Sequence, residues 1–405
     1  MNVYFKEYFD FKTFFAVLAL VLIGLVSVYS ATHTAGESAS FHRQIVWAVV
    51  GFFAMGLVRL MPRRLFQSAA IPLYVFSLAL LLFVLGGGKT VSGATSWLGF
   101  GVVGGQPSEL AKLTTVLALA AFLSKPTTEI ESTKGLLTTT AMLLLPVTLI
   151  ILQPDVGTAF VFCAMFPAIL YWAGASVFTA IAIISPVIVA AAALVNMISF
   201  IVAIVGVLIV LLLLKRDFFT SSVVFSGSVV IGIAVQYLYS RLPLYQQKRI
   251  ATFLSPDVDP LGAGYNALQA KVAIGSGGLL GRGFLQGTQT QLRFIPAQWT
   301  DFIFCVPGEE FGFVGAMIVL SLLIFLLFRG VRIAAVAKNR FSSLVAIGIT
   351  SIFATHTFIN IGMSMGLVPV IGIPLPFLSY GGSSLITSMV MAGLLLNVYA
   401  TRKEY

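Results

Sequence analysis

The chain has 405 residues, of which 59% are hydrophobic and 9% charged, with a mean hydropathy of +1.02 and a formal charge of +10. That much apolar surface cannot be hidden in one water-soluble core, so the composition excludes a soluble globular protein and predicts an all-α polytopic membrane protein. The charge would suggest nucleic acid in a soluble protein; here basic residues at helix ends account for it, and no nucleic-acid partner is expected.

Residues 14–30 could pass for a signal peptide, but the basic flank is weak and further spans follow, so they read as a retained first helix. Apolar runs long enough to span a bilayer, about 17–25 residues, fall near 13–31, 44–60, 69–87, 108–124, 136–152, 156–173, 176–194, 198–214, 219–239, 304–328, 341–365 and 376–400. The count is twelve spans. The region 176–239 is nearly continuous and is broken only by Asn196 and by Lys215-Arg216-Asp217. No repeat is evident, and residues 1–405 read as a single membrane-embedded domain.

With a cytoplasmic N-terminus, most of the 24 lysines and arginines fall in inner loops, including Arg59, Arg63, Arg64, Lys125, Lys134, Arg329, Arg332, Arg402 and Lys403. That distribution obeys the positive-inside rule and places both termini in the cytoplasm. The long segment 240–303 is then extracytoplasmic. Its Lys248, Arg249, Lys271 and Arg282, with Arg241 and Arg293, suit a phosphate-bearing ligand or anchoring on anionic lipid. Residues 265–274 suggest a short amphipathic helix, followed by glycine turns at 275–278 and 281–283.

Ionisable residues inside apolar spans are costly and are expected to have partners. In Gln106-Pro107-Ser108-Glu109-Leu110-Ala111-Lys112, the proline suits a first helical turn, and a spacing of three puts Glu109 and Lys112 on one face. They could serve a site or only fix packing. Asp155, in Gln153-Pro154-Asp155-Val156-Gly157-Thr158, is a helix cap or a substrate contact. Glu309 and Glu310 should lie about a turn into the tenth span, with Lys112 or Arg282 as partners. Asp257, Asp259, Asp301, Glu309 and Glu310 concentrate much of the chain's acid in one polar stretch, and Asp259, held before Pro260, is the candidate general base or metal-binding carboxylate. Near Ser379-Tyr380-Gly381-Gly382-Ser383-Ser384, amides at a helix start could hold an anion. Cys163 and Cys305 show neither disulfide nor zinc spacing.

Together, Gln-Pro-Ser-Glu-x-x-Lys at 106–112, Gln-Pro-Asp-x-Gly-Thr at 153–158, Asp-Pro-Leu-Gly-Ala-Gly-Tyr at 259–265, Thr-Asp-Phe-Ile-Phe with Gly-Glu-Glu-x-Gly at 300–312, and Pro-Leu-Pro-Phe-Leu-Ser-Tyr-Gly-Gly-Ser-Ser at 374–384 resemble the shape, elongation, division and sporulation (SEDS) family. The likeness spans nearly the whole chain in order, and Gly-Thr-Gln at 287–289 looks more like the rod-shape branch than the division branch. The resemblance implies a peptidoglycan glycosyltransferase of the bacterial cytoplasmic (inner) membrane, polymerising lipid II on the outer face. It implies a class B penicillin-binding protein and other elongation-complex membrane proteins as partners. Asp259 matches the family's essential loop aspartate, and Glu109 and Lys112 its buried acid and base. Ser108, Lys248, Arg249, Lys271, Arg282, Asp301, Glu309, Glu310, Ser379 and Ser383 would bind or support substrate, with or without a divalent cation such as Mg2+ or Mn2+.

Two features depart from the family pattern. Members typically show ten spans, so the surplus pair lies within 176–239; two extra spans preserve the sidedness of all that follows. The basic residue usual before the tryptophan of the preceding loop is replaced by Ser96, leaving Lys89 as the substitute. The rival readings are a lipid II flippase or transporter, which also suits Glu109 and Lys112 in the membrane, and a non-catalytic scaffold for the transpeptidase.

Overall fold

A computed structural model describes residues 8–33, 38–91, 94–100, 103–214, 218–239, 241, 247 and 264–404. Eleven of the twelve expected spans coincide with one helix each, and the tenth falls partly on a helix: α1 (Phe11–His33), α2 (Ser38–Leu60), α3 (Arg63–Gly87), α4 (Pro107–Leu123), α5 (Thr133–Leu152), α6 (Val156–Trp172), α7 (Val177–Val195), α8 (Met197–Leu213), α9 (Phe218–Tyr239), α13 (Gly312–Val336), α14 (Arg340–Ser364) and α15 (Gly382–Ala400). Between α9 and α13 lie α10 (Tyr265–Ser276), α11 (Thr288–Gln291) and α12 (Cys305–Glu310). Among the described residues, nine helices are long and apolar enough to cross a membrane; α6 and α8 are apolar but shorter. The protein is a polytopic, membrane-embedded helical protein.

The chain divides into two compact units, residues 1–169 with 267–405, and residues 170–266. In the first, α4 packs against α3 and α14, α14 against α13, and α15 against α2. Almost every residue of α4 from Pro107 to Leu123 is buried. In α14, 78% of the most apolar stretch is enclosed, against 28% in α2 and α3. A helix enclosed by protein does not need an apolar lipid face, which is why α4 and α14 can carry polar and charged residues. The outer helices expose Val49, Phe53, Val75, Phe76 and Phe83, an area that would be a liability in water but suits hydrocarbon. Helices α2 and α15 meet closely: a Cβ on Gly393 would stand 2.7 Å from the Met55 carbonyl oxygen, so a larger residue there would push the helices apart.

One hydrogen bond across this unit follows from a proline. Pro146, inside α5, has no N–H, so the carbonyl of Met142 four residues earlier loses its helical donor. The Tyr74 hydroxyl on α3 donates to that oxygen at 2.8 Å. In a membrane, neighbouring helices must satisfy a carbonyl freed in this way.

Two local features differ from the expectation. The segment before α4 folds as an antiparallel meander, β1 (Lys89–Val91), β2 (Ala94–Phe100) and β3 (Val103–Gly105), with Lys89 opposite Trp97 and Leu98 opposite Gly105. Ser96 is buried in β2. The expected tenth span at 304–328 is interrupted: α12 ends at Glu310, and Gly312, at φ +63°, opens α13 in the left-handed region that glycine tolerates. The loop at 278–283 serves both helix ends. Arg282 N and Gly283 N donate to the carbonyls of Glu309 and Glu310 at 3.0 Å each, and Phe313 N and Val314 N donate to Gly278 O and Leu279 O at 2.9 and 3.2 Å. A hydropathy window reads through the break because the residues on both sides are apolar.

In the second unit, α7 packs on α8 and α9 around Phe178, Val189, Ala193, Phe200, Val207 and Leu211. The Ser185 and Ser228 hydroxyls pair at 3.2 Å. Asn196, one of the two polar breaks noticed in the sequence, caps α8: its Oδ1 accepts from Ser199 N at 2.7 Å. The other break, 215–217, lies outside the described residues.

Candidate active site

Gln106 precedes α4 in extended backbone, with Pro107 as the first helical residue, so Glu109 falls in the first turn, where the helix dipole favours a carboxylate. Lys112 lies one turn further along the same face, and its Nζ is 2.9 Å from Glu109 Oε1. The pair is almost sealed, with side chains 5% and 1% exposed. The same Nζ lies 2.9 Å from Nε2 of His356 on α14. His356 Nδ1 is 2.9 Å from the carbonyl oxygen of Pro374. A carbonyl can only accept, so the network assigns the ring proton to Nδ1 and leaves Nε2 to accept from the ammonium. The result is a buried relay, Glu109 to Lys112 to His356 to Pro374, of one negative and one positive charge.

The expected pairing of Glu109 and Lys112 is therefore present, with a third member that sequence reasoning missed. The available signal was the spacing of four between His356 and Asn360, which places two polar groups on one face of an enclosed helix. Asn360 Nδ2 donates to Asp301 O at 2.8 Å and to Ile373 O at 2.7 Å. Together His356 and Asn360 hold the backbone at Ile373 and Pro374 against α14 and bring Asp301 to the same face. Asp301 Oδ2 lies 3.3 Å from where a Cβ on Gly372 would stand. Ser108, beside Glu109, has a buried hydroxyl with no hydrogen-bond partner.

The motif at 153–158 and the loop before α15 lie beside this group. Gln106 Nε2 donates to Asp155 Oδ2 at 2.9 Å, while Asp155 accepts from Thr158 N at 3.0 Å and Thr158 Oγ1 at 2.8 Å. Of the two duties considered for Asp155, the geometry displays the cap. A Cβ on Gly157 would meet Ile371 O at 2.8 Å, so the loop before α15 passes directly over the start of α6. Gln106, Asp155 and Ile371, far apart in sequence, thus share one end of the bundle.

Ser379 Oγ accepts from Leu375 N at 2.8 Å and donates to Thr300 O at 2.6 Å. Gly381 N, before α15, donates to Gln44 Oε1 at 3.2 Å; Ser383 is half-buried in the first turn. Two expectations about the acids need correction. The partners of Glu309 and Glu310 are neither Lys112 nor Arg282. Glu309 accepts from Gln289 N at 2.7 Å, Thr290 N at 2.9 Å and Thr290 Oγ1 at 2.6 Å. Glu310 accepts from Ser30 Oγ, from Leu285 N at 3.2 Å and from Gln291 Nε2 at 3.3 Å. Nor do these acids lie inside a continuous span, because the short α12 carries them. Their oxygens accept from the Leu285, Gln289 and Thr290 amides, which have no intrahelical acceptors of their own, and a sequence cannot place such a match.

Residues 265–276 form the expected short helix. Lys271 on it lies across Gly366, and Arg282 Nε donates to Ser276 O at 3.1 Å. Neither makes a contact with Glu109 or Lys112. Asp257, Asp259, Lys248 and Arg249 lie outside the described residues, as does the side chain of Lys89. Among the described residues, no group of three His, Cys, Asp or Glu side chains could hold a metal ion.

The family model for FtsW, RodA and SpoVE, described as cell cycle protein, matches residues 11–205 and 196–404. The chain belongs to this SEDS family. It is most like the RodA members. Peptidoglycan glycosyltransferase RodA of Treponema pallidum is 35% identical over 431 residues, covering 97% of this chain and 98% of the relative. Peptidoglycan glycosyltransferase MrdB of Escherichia coli K12 is 34% identical, covering 98% and 95%. Among solved structures, a chain of a peptidoglycan synthase complex studied for coordination of polymerization and crosslinking superposes with a TM-score of 0.75, at 29% identity over 98% of this chain and 99% of that one. The rod shape determining protein RodA of Thermus thermophilus gives 0.66 at 27% identity over 98% of both chains.

Proposed function

We infer that the protein is a peptidoglycan glycosyltransferase of the RodA type, polymerising lipid II into β-1,4-linked glycan strands for cell elongation and shape. The observation that carries this reading is the full-length likeness to RodA and MrdB enzymes; the motifs at 106–112 and 153–158 and the backbone at 373–374 meet beside a sealed Glu109–Lys112–His356 group. In the proposed reaction, Asp259 takes the proton from the acceptor 4-hydroxyl as its oxygen attacks the donor sugar carbon. The bond to the polyprenyl diphosphate breaks on the opposite face, so an α-linked donor becomes a β-linked glycan. Lys248, Arg249, Lys271 and Arg282 offer positive charge to the departing diphosphate. A divalent cation such as Mg2+ or Mn2+ at Asp259 would add to that charge; no step depends on it.

The reading places the protein in the cytoplasmic (inner) membrane, with both termini inside and segment 240–303 outside. A class B penicillin-binding protein is the proposed transpeptidase partner, supported by likeness to a chain of a polymerising and crosslinking complex. The deciding experiment is polymerisation of lipid II by purified protein, with and without chelator, comparing wild type and Asp259→Ala. Loss of glycan in the variant is expected. Polymer made at the wild-type rate would remove Asp259 from the mechanism, and lipid II transport without polymer would favour the flippase reading that a buried ion pair also suits.

A further inference from the structure

We propose that the ends of α1, α13 and α15 remote from Glu310 form a binding site for the phosphate headgroup of an anionic phospholipid. A cavity of about 360 Å³ opens there, lined on its polar side by Asp10, Lys12, Arg329, Arg332, Tyr399 and Arg402. The lining carries Lys12, Arg329, Arg332 and Arg402, with Asp10 as its carboxylate; Asp10 pairs with Arg329, which leaves Lys12 and Arg332 as neighbouring like charges that call for a counter-anion.

Arg329 is the anchor of the site. Its side chain is only 10% exposed, and Nη2 is 2.6 Å from Asp10 Oδ2, which also accepts from the Thr13 hydroxyl. Its Nε is buried without any hydrogen-bond partner. A buried guanidinium with an unmet donor carries a desolvation cost that an incoming phosphate oxygen would relieve. The guanidiniums of Arg329 and Arg402 both lie over the Tyr399 ring, at 5.7 and 4.0 Å from its centroid, so two positive charges converge on one side chain. Lys12 and Arg332 are exposed and have no ion pair among the described residues.

The positive-inside rule accounts for basic residues at helix ends, but not for a guanidinium sunk beside a cavity with one donor unmet. The apolar part of the lining decides between a free anion and a lipid. Phe11 and Val336, 39% and 44% exposed, border the cavity together with Ile333. That juxtaposition fits an amphiphile, with acyl chains along the apolar border and the phosphate among the arginines; basic pockets between membrane helices bind such headgroups.

The test is thermal stability of the full-length protein in neutral detergent, titrated separately with phosphatidylglycerol, phosphatidylcholine and inorganic phosphate. Saturable stabilisation by phosphatidylglycerol alone is expected. In Lys12→Gln/Arg332→Gln, whose altered side chains are exposed and whose fold is checked by gel filtration, the half-saturating phosphatidylglycerol concentration should rise about 25-fold, roughly fivefold per cation. Lys125→Gln, an exposed cation away from the cavity, should leave it unchanged. An equal response of the double variant and wild type, an equal shift in Lys125→Gln, or equal stabilisation by phosphatidylcholine overturns the site. Equal stabilisation by inorganic phosphate overturns the lipid assignment in favour of a free anion.

Discussion

Lys112 Nζ lies 2.9 Å from His356 Nε2, which ties α4 to α14 through an ammonium that Glu109 already holds at the same distance. A charge pair sealed in this way is costly to assemble and more costly to halve, because removing one member leaves the other buried and uncompensated.

Glu109→Gln and Lys112→Met should each destabilise the protein by about 3–5 kcal/mol. The double variant should lose less than either single one, since it leaves no lone buried charge. Denaturation midpoints in detergent measure this; a double variant at the sum of the two single losses would contradict the coupling.

His356→Phe removes both the acceptor for Lys112 and the donor to Pro374. A loss of about 1–3 kcal/mol is expected from the groups left unpaired. Hydrogen exchange should accelerate at residues 371–378, because the loop loses one of its two ties to α14, and lipid II polymerisation should fall with it. Unchanged exchange in that segment would show that Asn360 alone holds the loop.

The Tyr74 hydroxyl replaces a helical donor that Pro146 cannot supply. Tyr74→Phe should therefore cost about 1–3 kcal/mol. In the background of Pro146→Ala, where the alanine N–H can reach Met142 O, the same change should cost less than 0.5 kcal/mol or so. The four melting temperatures of this cycle test it, and an undiminished Tyr74→Phe loss beside alanine would refute the account.

Glu309 accepts two backbone amides and a hydroxyl from residues 289–290. Glu309→Ala leaves those donors without their acceptor, at about 1.5–3 kcal/mol for a bond to a charged group. Residues 285–295 should become the first site of limited proteolysis. Glu309→Gln, which keeps one carbonyl oxygen, should be cut more slowly than the alanine variant but faster than wild type.

Much of the membrane architecture was legible because its signal is local. A bilayer requires a run of apolar residues for every crossing, and eleven of the twelve runs became single helices, the tenth being split between α12 and α13. Glu109 and Lys112 were legible for the same reason: a spacing of three on a helix that begins at Pro107 leaves little choice of face. The meander at 89–105 was not legible, since its strands are three to seven residues long and rich in glycine, threonine and serine. The break at Gly312 escaped because apolar residues flank it, and hydropathy carries no information about φ.

By itself the sequence determined that the chain is a membrane protein, where its helices run, which carboxylate and ammonium pair on α4, and which motifs place it in its family. Only the tertiary structure decided that His356 completes the pair, that Glu309 and Glu310 serve the 285–291 loop, that Ser379 is consumed by backbone contacts, and that Arg329 sits beside a cationic cavity. Helix formation and i,i+3 pairing depend on neighbours along the chain. The partner of a buried polar group depends on which distant backbone amide or carbonyl is left unsatisfied, and that is known only once the helices are packed.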